Sequence, residues 1–361
     1  MTSRQSALKI LDRCFKERAW SSQTIDSLIC DLDDREKALA SKLALGVLQN
    51  YMMLDLIIDR YCKKLDLTVR NILRIGTYQL LYLDKIPNYA AINECVDLAK
   101  SNGYKSASGL INAVLRKISA DKIPEDVPIY IKYSHPKWFA DKMTDIYGIE
   151  FTKKLLEANN SEPEINYHKG FTDEMYVQDN AAYRAVEMLE LKPGMRILDA
   201  CSAPGGKSFT AAMLMNNSGE IISCDIHQKK LKLIEEGAAR LGIDIISTRC
   251  MDASVYNEDF AGAFDAVIAD VPCSGFGVIR KKPDIRFKSE EEILPLPEKQ
   301  SKILANLSKY VKNGGKLLYS TCTVLPEENE QITSEYNVIK QKTFFPNIDG
   351  TDGFYAAVIS L

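Results

Sequence analysis

Apolar residues recur at near-helical spacing through the first 120 residues of the chain. One series covers Leu39–Leu48 and follows two acidic residues, Asp33 and Asp34, that can cap a helix. Similar patterns cover residues 67–82 and 90–100. Nothing in this region alternates between apolar and polar positions as a half-buried strand would. The pattern therefore predicts an all-α bundle at the N-terminus.

The pattern changes twice further along the chain. Residues 122–128 interrupt it and predict a linker, and residues 136–158 are again helical in spacing. From Met195 onwards, short apolar runs alternate with helical stretches, which is typical of a doubly wound, mostly parallel α/β sheet. In such sheets ligands bind beyond the carboxyl ends of the strands. The predicted strands are 195–200, 220–226, 244–250, 265–271, 316–322 and 354–360.

Composition is that of an ordinary globular protein, with 46% hydrophobic and 26% charged residues among 361. No run approaches the roughly 18 apolar residues that a membrane span needs. The N-terminus shows no apolar signal segment, so a cytoplasmic protein without membrane partners is expected. Nine cysteines without a C-x-x-C pair, and only three histidines, argue against a disulfide framework and against a metal site.

Charge differs between the two parts of the chain. Residues 1–120 hold 18 Lys and Arg against 13 Asp and Glu, whereas the remainder holds 28 against 36. A basic region beside an acidic one fits an RNA-contacting module next to a catalytic module. An excess of five positive charges is equally compatible with a solvated surface.

The segment Leu198–Ser208, with the sequence LDACSAPGGKS, follows the first predicted strand. Pro204, Gly205 and Gly206 leave little side-chain bulk, so backbone N–H groups can approach a ligand closely. A phosphate-binding P-loop would need a glycine where Cys201 stands, and the G-x-G-x-x-G dinucleotide fingerprint is absent. The alternative to a ligand-binding loop is a plain tight turn.

Acidic residues follow the next two predicted strands. Asp225 is placed to accept hydrogen bonds from ribose hydroxyls, and Asp252 could meet the exocyclic amine of an adenine. Either aspartate alone is as compatible with a helix cap. Together with the glycine-containing loop they predict a nucleoside cofactor without phosphates, which S-adenosylmethionine fits.

Two cysteines stand at the ends of neighbouring predicted strands: Cys273 shortly after the fourth and Cys322 at the end of the fifth. A thiolate that adds to C6 of a cytosine makes C5 able to accept a methyl group from a sulfonium. Cysteine suits this step because its thiolate is strongly nucleophilic and accessible near neutral pH. The alternative is that both are small buried apolar residues.

Three motifs in combination resemble the NOL/NOP/Sun family of RNA cytosine-C5 methyltransferases. They are LDACSAPGGKS at 198–208, DVPCSGFG at 270–277 and YSTCT at 319–323. The N-terminal region is similar to the NusB-like domain through residues 73–82 and 109–116. This pairing resembles the Sun branch, whose members methylate a cytosine in small-subunit (16S) ribosomal RNA. Shorter matching pieces are 133–138, 177–179 and 352–355.

The resemblance implies an α+β multidomain protein. Residues 1–122 would form a NusB-like RNA-binding bundle, and residues 123–175 a linker with the remnant of a small RNA-binding subdomain. Residues 176–361 would form a Rossmann-like methyltransferase domain with a seven-stranded, mostly parallel sheet. The implied partner is ribosomal RNA, naked or in an early assembly intermediate, and the implied state is a monomer.

The resemblance also implies roles for individual residues. Cys322 would attack C6, and Cys273 would assist release of the methylated RNA, although the residues alone leave the two roles interchangeable. Lys207 and Asp270 would position the base and handle protons. The cofactor would be held by Cys201, Ser202, Ala203, Pro204, Gly205, Gly206, Lys207, Asp225, Asp252 and Asp270.

The chain departs from the family in two places. After residues 158–166 the family continues through a small α/β segment, but here residues 167–175 lead almost at once to the matching piece at 177–179. The stretch between Pro326 and Asp352 is also short. RNA affinity and target choice are what these deletions affect. The basic stretch Arg280–Arg286 predicts either phosphate contact or a solvated loop.

Two other functions are compatible with the sequence. One is a non-catalytic RNA-binding or ribosome-assembly factor that retains the methyltransferase fold. The other is a methyltransferase that acts on DNA or on a small molecule.

Overall fold

The computed structural model describes all 361 residues, and the chain divides into two compact units. The first, here called the helical unit, comprises residues 1–161 and 279–289; the second, the sheet unit, comprises residues 162–278 and 290–361. No helix combines the length and apolar character needed to cross a bilayer. The predicted domain boundaries, at 122/123 and 175/176, stay predictions.

The helical unit confirms the predicted all-α bundle. Asp33 is the N-cap of its longest helix and accepts a hydrogen bond from the Glu36 backbone N–H at 2.9 Å. Gly148, with φ of +82°, ends one of the two helices in the region 136–158 and begins the other. The helices are α1 Ser3–Glu17, α2 Ser21–Ile29, α3 Asp34–Ile58, α4 Leu67–Tyr82, α5 Asn88–Ser101, α6 Ser108–Ala120, α7 Ile129–Lys132, α8 Lys137–Tyr147 and α9 Ile149–Ala158.

Two arginines of the basic stretch that was expected to meet RNA or solvent are buried in the helical unit, whereas Lys282 in the same stretch is exposed. Arg280 and Arg286 are 6% and 2% exposed. Arg286 Nη2 donates to the Asn159 carbonyl at 3.2 Å and to Asn160 Oδ1. Neither predicted alternative is right for these two arginines, because a guanidinium enclosed by the protein reaches neither phosphate nor bulk water.

Asp284 and Phe287, in and next to the same stretch, contact the first two helices of the helical unit. The N-cap of α2, Trp20, makes no side-chain cap, and Asp284 Oδ1 instead accepts from the Ser21 backbone N–H at 3.1 Å and from its hydroxyl. The ring of Phe287 lies 5.0 Å from that of Phe15 in α1. These residues therefore support helices that precede them by more than 250 positions.

The sheet unit confirms the predicted seven-stranded, mostly parallel sheet. Its strand order is β5-β4-β3-β6-β7-β9-β8, with β9 antiparallel to β7 and to β8. β8 was not predicted from apolar runs, because it is an edge strand whose middle residues are exposed. The strands are β1 Tyr167–Lys169, β2 Met175–Val177, β3 Arg196–Asp199, β4 Glu220–Asp225, β5 Ile246–Cys250, β6 Phe264–Asp270, β7 Val311–Thr321, β8 Val338–Phe344 and β9 Phe354–Ser360; β1 and β2 form a separate antiparallel pair.

Helices cover both faces of this sheet, which explains its apolar strands. Ile197 packs into one hydrophobic core and its neighbour Leu198 into the other, as the alternation of a strand requires. Both side chains are fully buried. The helices are α10 Asn180–Glu187, α11 Gly206–Leu214, α12 Gln228–Leu241, α13 Glu290–Ile293, α14 Leu296–Leu307, α15 Glu330–Thr333 and α16 Pro346–Asp349.

Candidate active site

The loop between β3 and α11 is held in one shape by glycine geometry and by β4. Gly205 has φ of +115°, and a Cβ there would lie 2.5 Å from the Phe209 ring. The backbone N–H and hydroxyl of Ser202 both donate to the Cys224 carbonyl in β4, at 2.8 and 2.9 Å. A side chain at position 205 would thus both strain the backbone and clash.

A cavity of about 170 Å³ lies beside this loop, where β3 and β6 end. The predicted loop residues other than Gly205 line it, and so does Asp270. The lining residues are Val177, Gln178, Ala182, Asp199, Cys201, Ser202, Ala203, Pro204, Gly206, Lys207 and Asp270.

Asp225 and Asp252 do not line this cavity. Asp225 ends β4 and accepts from the His227 backbone N–H at 2.8 Å. Asp252 accepts from the backbone N–H and the hydroxyl of Ser254 at 2.9 and 2.7 Å, and these hydrogen bonds lower its pKa. Both carboxylates therefore stabilise the turns after their strands, and their part in holding a cofactor stays a prediction.

Asp199 is the buried acidic residue of the cavity. The Ser208 hydroxyl donates to its Oδ2 at 2.7 Å, whereas Oδ1 is buried and has no hydrogen-bond partner. An unpaired buried acceptor is costly unless a donor reaches it. Burial raises the pKa of Asp199 to about 7, and the Ser208 hydrogen bond acts in the opposite direction.

We expect Asp199→Asn to flatten the pH dependence of stability between about pH 4 and pH 7. A raised native pKa means that the folded protein holds a proton which the unfolded chain releases in this window. The free energy of unfolding of the wild type therefore falls as pH rises through it, by at most about 4 kcal/mol for this group. Urea unfolding at several pH values without cofactor checks this. Asp244→Asn, at an exposed carboxylate, should keep the wild-type slope; an equally steep slope in Asp199→Asn contradicts the prediction.

Lys207 and Asp270 form an ion pair at the cavity. Lys207 Nζ lies 2.7 Å from Asp270 Oδ2, and the Ser320 hydroxyl donates to Asp270 Oδ1 at 2.8 Å. Burial alone would lower the pKa of Lys207, but the Asp270 carboxylate outweighs it and raises that pKa, with smaller contributions from Asp199 and Cys322. The ammonium group is thus held charged beside the Cys322 thiol.

The two predicted cysteines lie in contact. β6 and β7 are parallel and pair Asp270 with Ser320, so Cys273 and Cys322 follow at the same edge of the sheet. Their Sγ atoms are 3.0 Å apart, and the Cys322 backbone N–H points to Cys273 Sγ at 3.3 Å. Neither cysteine is part of a disulfide bond, and both are partly exposed. The hydrogen bond to Cys322, and then burial, raise the pKa of Cys273 well above its ordinary value.

A pair of glycines lets three loops meet behind the cysteines. Gly277 donates its N–H to the Cys322 carbonyl at 2.9 Å and accepts from the Gly353 N–H at 2.8 Å. A Cβ on Gly277 would lie 1.8 Å from the Gly353 oxygen. This is backbone against backbone, so neither partner can rotate away.

We expect Gly277→Ala to lower kcat by about 100-fold, because it must displace the Cys322 loop and misplacement by about 1 Å costs that much. Initial rates of the methyl transfer that the family resemblance implies, with circular dichroism to confirm folding, check this. Gly109→Ala is the matched control, since a Cβ there meets nothing within 4 Å. Wild-type kcat in Gly277→Ala would show that this contact is unimportant.

Gln178 is a cavity residue absent from the predicted set. It is 9% exposed, accepts from the Thr210 hydroxyl at 2.6 Å and would lie 3.4 Å from a Cβ on Gly206. The matching piece at 177–179 was the signal that could have identified it. An amide at this position limits the space beside the α11 N-terminus.

The chain matches two families in succession: the NusB family over residues 1–120 and the family described as "16S rRNA methyltransferase RsmB/F" over residues 186–336. A crystal structure titled "Crystal Structure of PH0851" covers 100% of this chain, which covers 99% of that one, with a TM-score of 0.80 at 20% identity. This likeness shows a shared fold.

Relatives of known name resemble the chain over most of its length. It is 34% identical to the "Probable ribosomal RNA small subunit methyltransferase B" of Bacillus subtilis, over 91% of this chain and 86% of the relative. It is 29% identical to the "Ribosomal RNA small subunit methyltransferase B" of Klebsiella pneumoniae, over 91% and 88%. The Bacillus match spans 386 aligned positions against 361 residues here, so this chain lacks some of the relative's residues. The chain therefore belongs to the RsmB/F family of 16S rRNA methyltransferases.

Proposed function

We propose that this protein methylates C5 of a cytosine in small-subunit ribosomal RNA through a covalent adduct with Cys322. Family membership makes it an S-adenosylmethionine-dependent methyltransferase. The observation that carries the finer proposal is the pair of thiols 3.0 Å apart, beyond the same sheet edge as the cavity. Transfer to a ribose oxygen or to an exocyclic nitrogen has no use for two adjacent thiols, whereas C5 of cytosine requires nucleophilic activation.

Each step of the proposed reaction balances. The Cys322 thiolate adds to C6, and the electron pair of the C5–C6 double bond makes C5 nucleophilic. C5 then forms its bond to the methyl group as the methyl–sulfur bond of the sulfonium breaks, and the sulfur keeps that electron pair and leaves as a neutral thioether. A base removes the C5 proton, and the C–H electron pair restores the double bond as the Cys322 thiolate leaves. The enzyme thiolate is regenerated, and no oxidant or reductant is needed.

The cavity residues suit the cofactor. Small side chains and the turn at Gly205 leave backbone groups accessible, and the unpaired Oδ1 of Asp199 can accept from an amino group. Bound there, S-adenosylmethionine supplies the electrophilic methyl group. We assign the loop Cys201–Lys207 with Asp270 to its binding; Asp225 would accept from the ribose hydroxyls and Asp252 from the adenine amine.

Three further side chains would handle charge and protons. Lys207 favours the Cys322 thiolate by its positive charge, and Asp270 fixes that ammonium group at 2.7 Å. Cys273, in contact with Cys322, would act at the end of the reaction, when the adduct breaks down. A thiol of raised pKa keeps its proton near neutral pH, so Cys273 can protonate or shield the departing Cys322 sulfur.

The RNA partner is proposed on the family and on the N-terminal region. NusB-like residues 1–120 and a net positive charge there fit an RNA-contacting module. The relatives carry small-subunit ribosomal RNA in their names. We propose this RNA as the substrate, acted on by a monomer.

Transfer of a labelled methyl group to small-subunit ribosomal RNA without modifications tests the proposal. Label at cytosine C5 after nucleoside digestion supports it, and label at another atom overturns the C5 assignment. RNA binding without any transfer, despite cofactor binding, favours a non-catalytic assembly factor. If unlabelled DNA inhibits methyl transfer as effectively as unlabelled RNA does, DNA becomes the favoured substrate.

A further inference from the structure

Two consecutive residues after β7 each hold one of the cysteine loops. Glu328 is 1% exposed, and its Oε2 accepts from the Ser274 backbone N–H and from Gln300 Nε2, both at 2.8 Å. Gln300 Nε2 also donates to the Pro272 carbonyl at 3.0 Å. The carboxylate and its glutamine therefore hold the residues on both sides of Cys273.

Asn329 does the same for the other cysteine. The Thr321 hydroxyl donates to Asn329 Oδ1 at 2.6 Å, and Asn329 Nδ2 donates to the Thr323 carbonyl at 3.0 Å. Asn329 is fully buried, so these bonds are not exchanged with water. Thr321 and Thr323 flank Cys322, which is thus held on both sides by one amide.

The residues that hold the two loops, Glu328 and Asn329, share one peptide unit. Tyr319 anchors it by donating its hydroxyl to the Glu328 carbonyl at 2.7 Å. The two loops also meet directly, where the Ser274 hydroxyl donates to Thr323 Oγ1 at 3.0 Å. Movement of residues 328–329 would therefore move both cysteines.

We propose that Glu328 and Asn329 are positioning residues that set the spacing of the two thiols, and that the Glu328 carboxyl group, held against the Cys273 loop, adds to the bias that makes Cys322 rather than Cys273 the nucleophile. This inference rests on the proposed function. It separates two cysteines whose roles the sequence left interchangeable.

The two thiols have neighbours of opposite charge: carboxylates act on Cys273 and an ammonium group acts on Cys322. The groups that act on Cys273 are the Cys322 thiol, Glu328 and Asp270, and each favours the protonated form of Cys273. Burial raises the pKa of Tyr319, so this neighbour stays a neutral phenol and adds no charge. The cation of the site, Lys207, interacts with Cys322 and favours its thiolate. A carboxylate beside one thiol and an ammonium beside the other give the two cysteines different protonation at neutral pH.

Alkylation of each cysteine by iodoacetamide as a function of pH, resolved by peptide mass spectrometry on the full-length protein, tests the electrostatic part. We expect Cys322 to react at lower pH than Cys273 in the wild type. Glu328→Gln keeps the side-chain shape and should lower the alkylation midpoint of Cys273 by about one pH unit, or about tenfold more thiolate at a given pH. Glu330→Gln is the matched control, because Glu330 instead accepts from Thr343 in β8.

An unchanged Cys273 midpoint in Glu328→Gln, or an equal shift in Glu330→Gln, overturns the inference. So does a wild type in which Cys273 reacts at lower pH than Cys322. The titration needs no RNA, so a wild type that shows the expected midpoints but transfers no methyl group contradicts the proposed function alone.

Thr321→Val tests the positioning part, because it removes one hydroxyl and preserves side-chain shape. We expect kcat to fall about tenfold while KM for S-adenosylmethionine is unchanged, since the cavity does not include these residues. Thr343→Val, which loses one comparable hydrogen bond to Glu330, should keep wild-type kcat. Equal kcat in wild type and Thr321→Val, or a loss confined to KM, overturns the positioning role.

Discussion

Cys322→Ala should transfer no methyl group to ribosomal RNA, with kcat lower by at least about 10⁴-fold. Without the thiolate nothing adds to C6, and C5 stays unreactive toward a sulfonium methyl group. The cofactor cavity does not include Cys322, so the affinity for S-adenosylmethionine should remain that of the wild type. Labelled-methyl transfer and isothermal calorimetry with the cofactor measure the two quantities.

Cys30→Ala is the control for loss of a cysteine as such, because Cys30 is exposed at the end of α2 in the helical unit. It should show wild-type transfer. Transfer at the wild-type rate by Cys322→Ala would exclude this residue as the nucleophile. If Cys322→Ala transfers no methyl group but still forms a covalent adduct with RNA through Cys273, then Cys273 is the nucleophile.

Cys273→Ala should accumulate a covalent protein–RNA complex. Attack by Cys322 and methylation of C5 still occur in this variant, but breakdown of the adduct is slowed, by about 10²- to 10⁴-fold if Cys273 takes part in proton transfer at this step. A denaturing gel should show a slowly migrating band that requires both RNA and cofactor. Cys322→Ala and the double variant should show no such band.

The same experiment distinguishes the alternatives for Cys273. Cys273 Sγ lies 3.0 Å from Cys322 Sγ, so Cys273 could also serve only to pack against Cys322. In that case Cys273→Ala should lose a little stability and keep the wild-type turnover. Normal turnover without an adduct would support packing. An adduct that forms in Cys273→Ala even without cofactor would place the role of Cys273 before methyl transfer.

Periodicity along the chain was sufficient for the fold class. Helical spacing predicted the bundle, and short apolar runs predicted six strands of the seven-stranded sheet. Strands covered on both faces are mostly apolar, and the partly exposed edge strand β5 still starts within the apolar pair Ile245 and Ile246. The edge strand β8 was missed because its middle residues face solvent and carry no apolar signal. Motif spacing also predicted the cofactor, since residues that end parallel strands meet at one edge of the sheet.

Tertiary structure decided what depends on contacts between distant residues. Arg286 lies in a charged stretch that indicates solvent or RNA, yet it donates to residues more than 120 positions earlier and is buried. Local sequence gives no sign of this outcome, because the partners of Arg286 are chosen by packing. The engagement of Asp252 by Ser254, two residues away, is by contrast a local turn of the kind that the sequence left open as the alternative to a ligand.

The sequence by itself determined which residue types stand at the ends of which strands, and so the family and its chemistry. Only the folded chain brought Cys273 and Cys322 to 3.0 Å and placed Glu328 against one loop and Asn329 against the other. The physical reason is that periodicity and turns are set by neighbours along the chain. Distances between side chains, and the charge each one faces, arise from contacts across about 50 residues of intervening sequence.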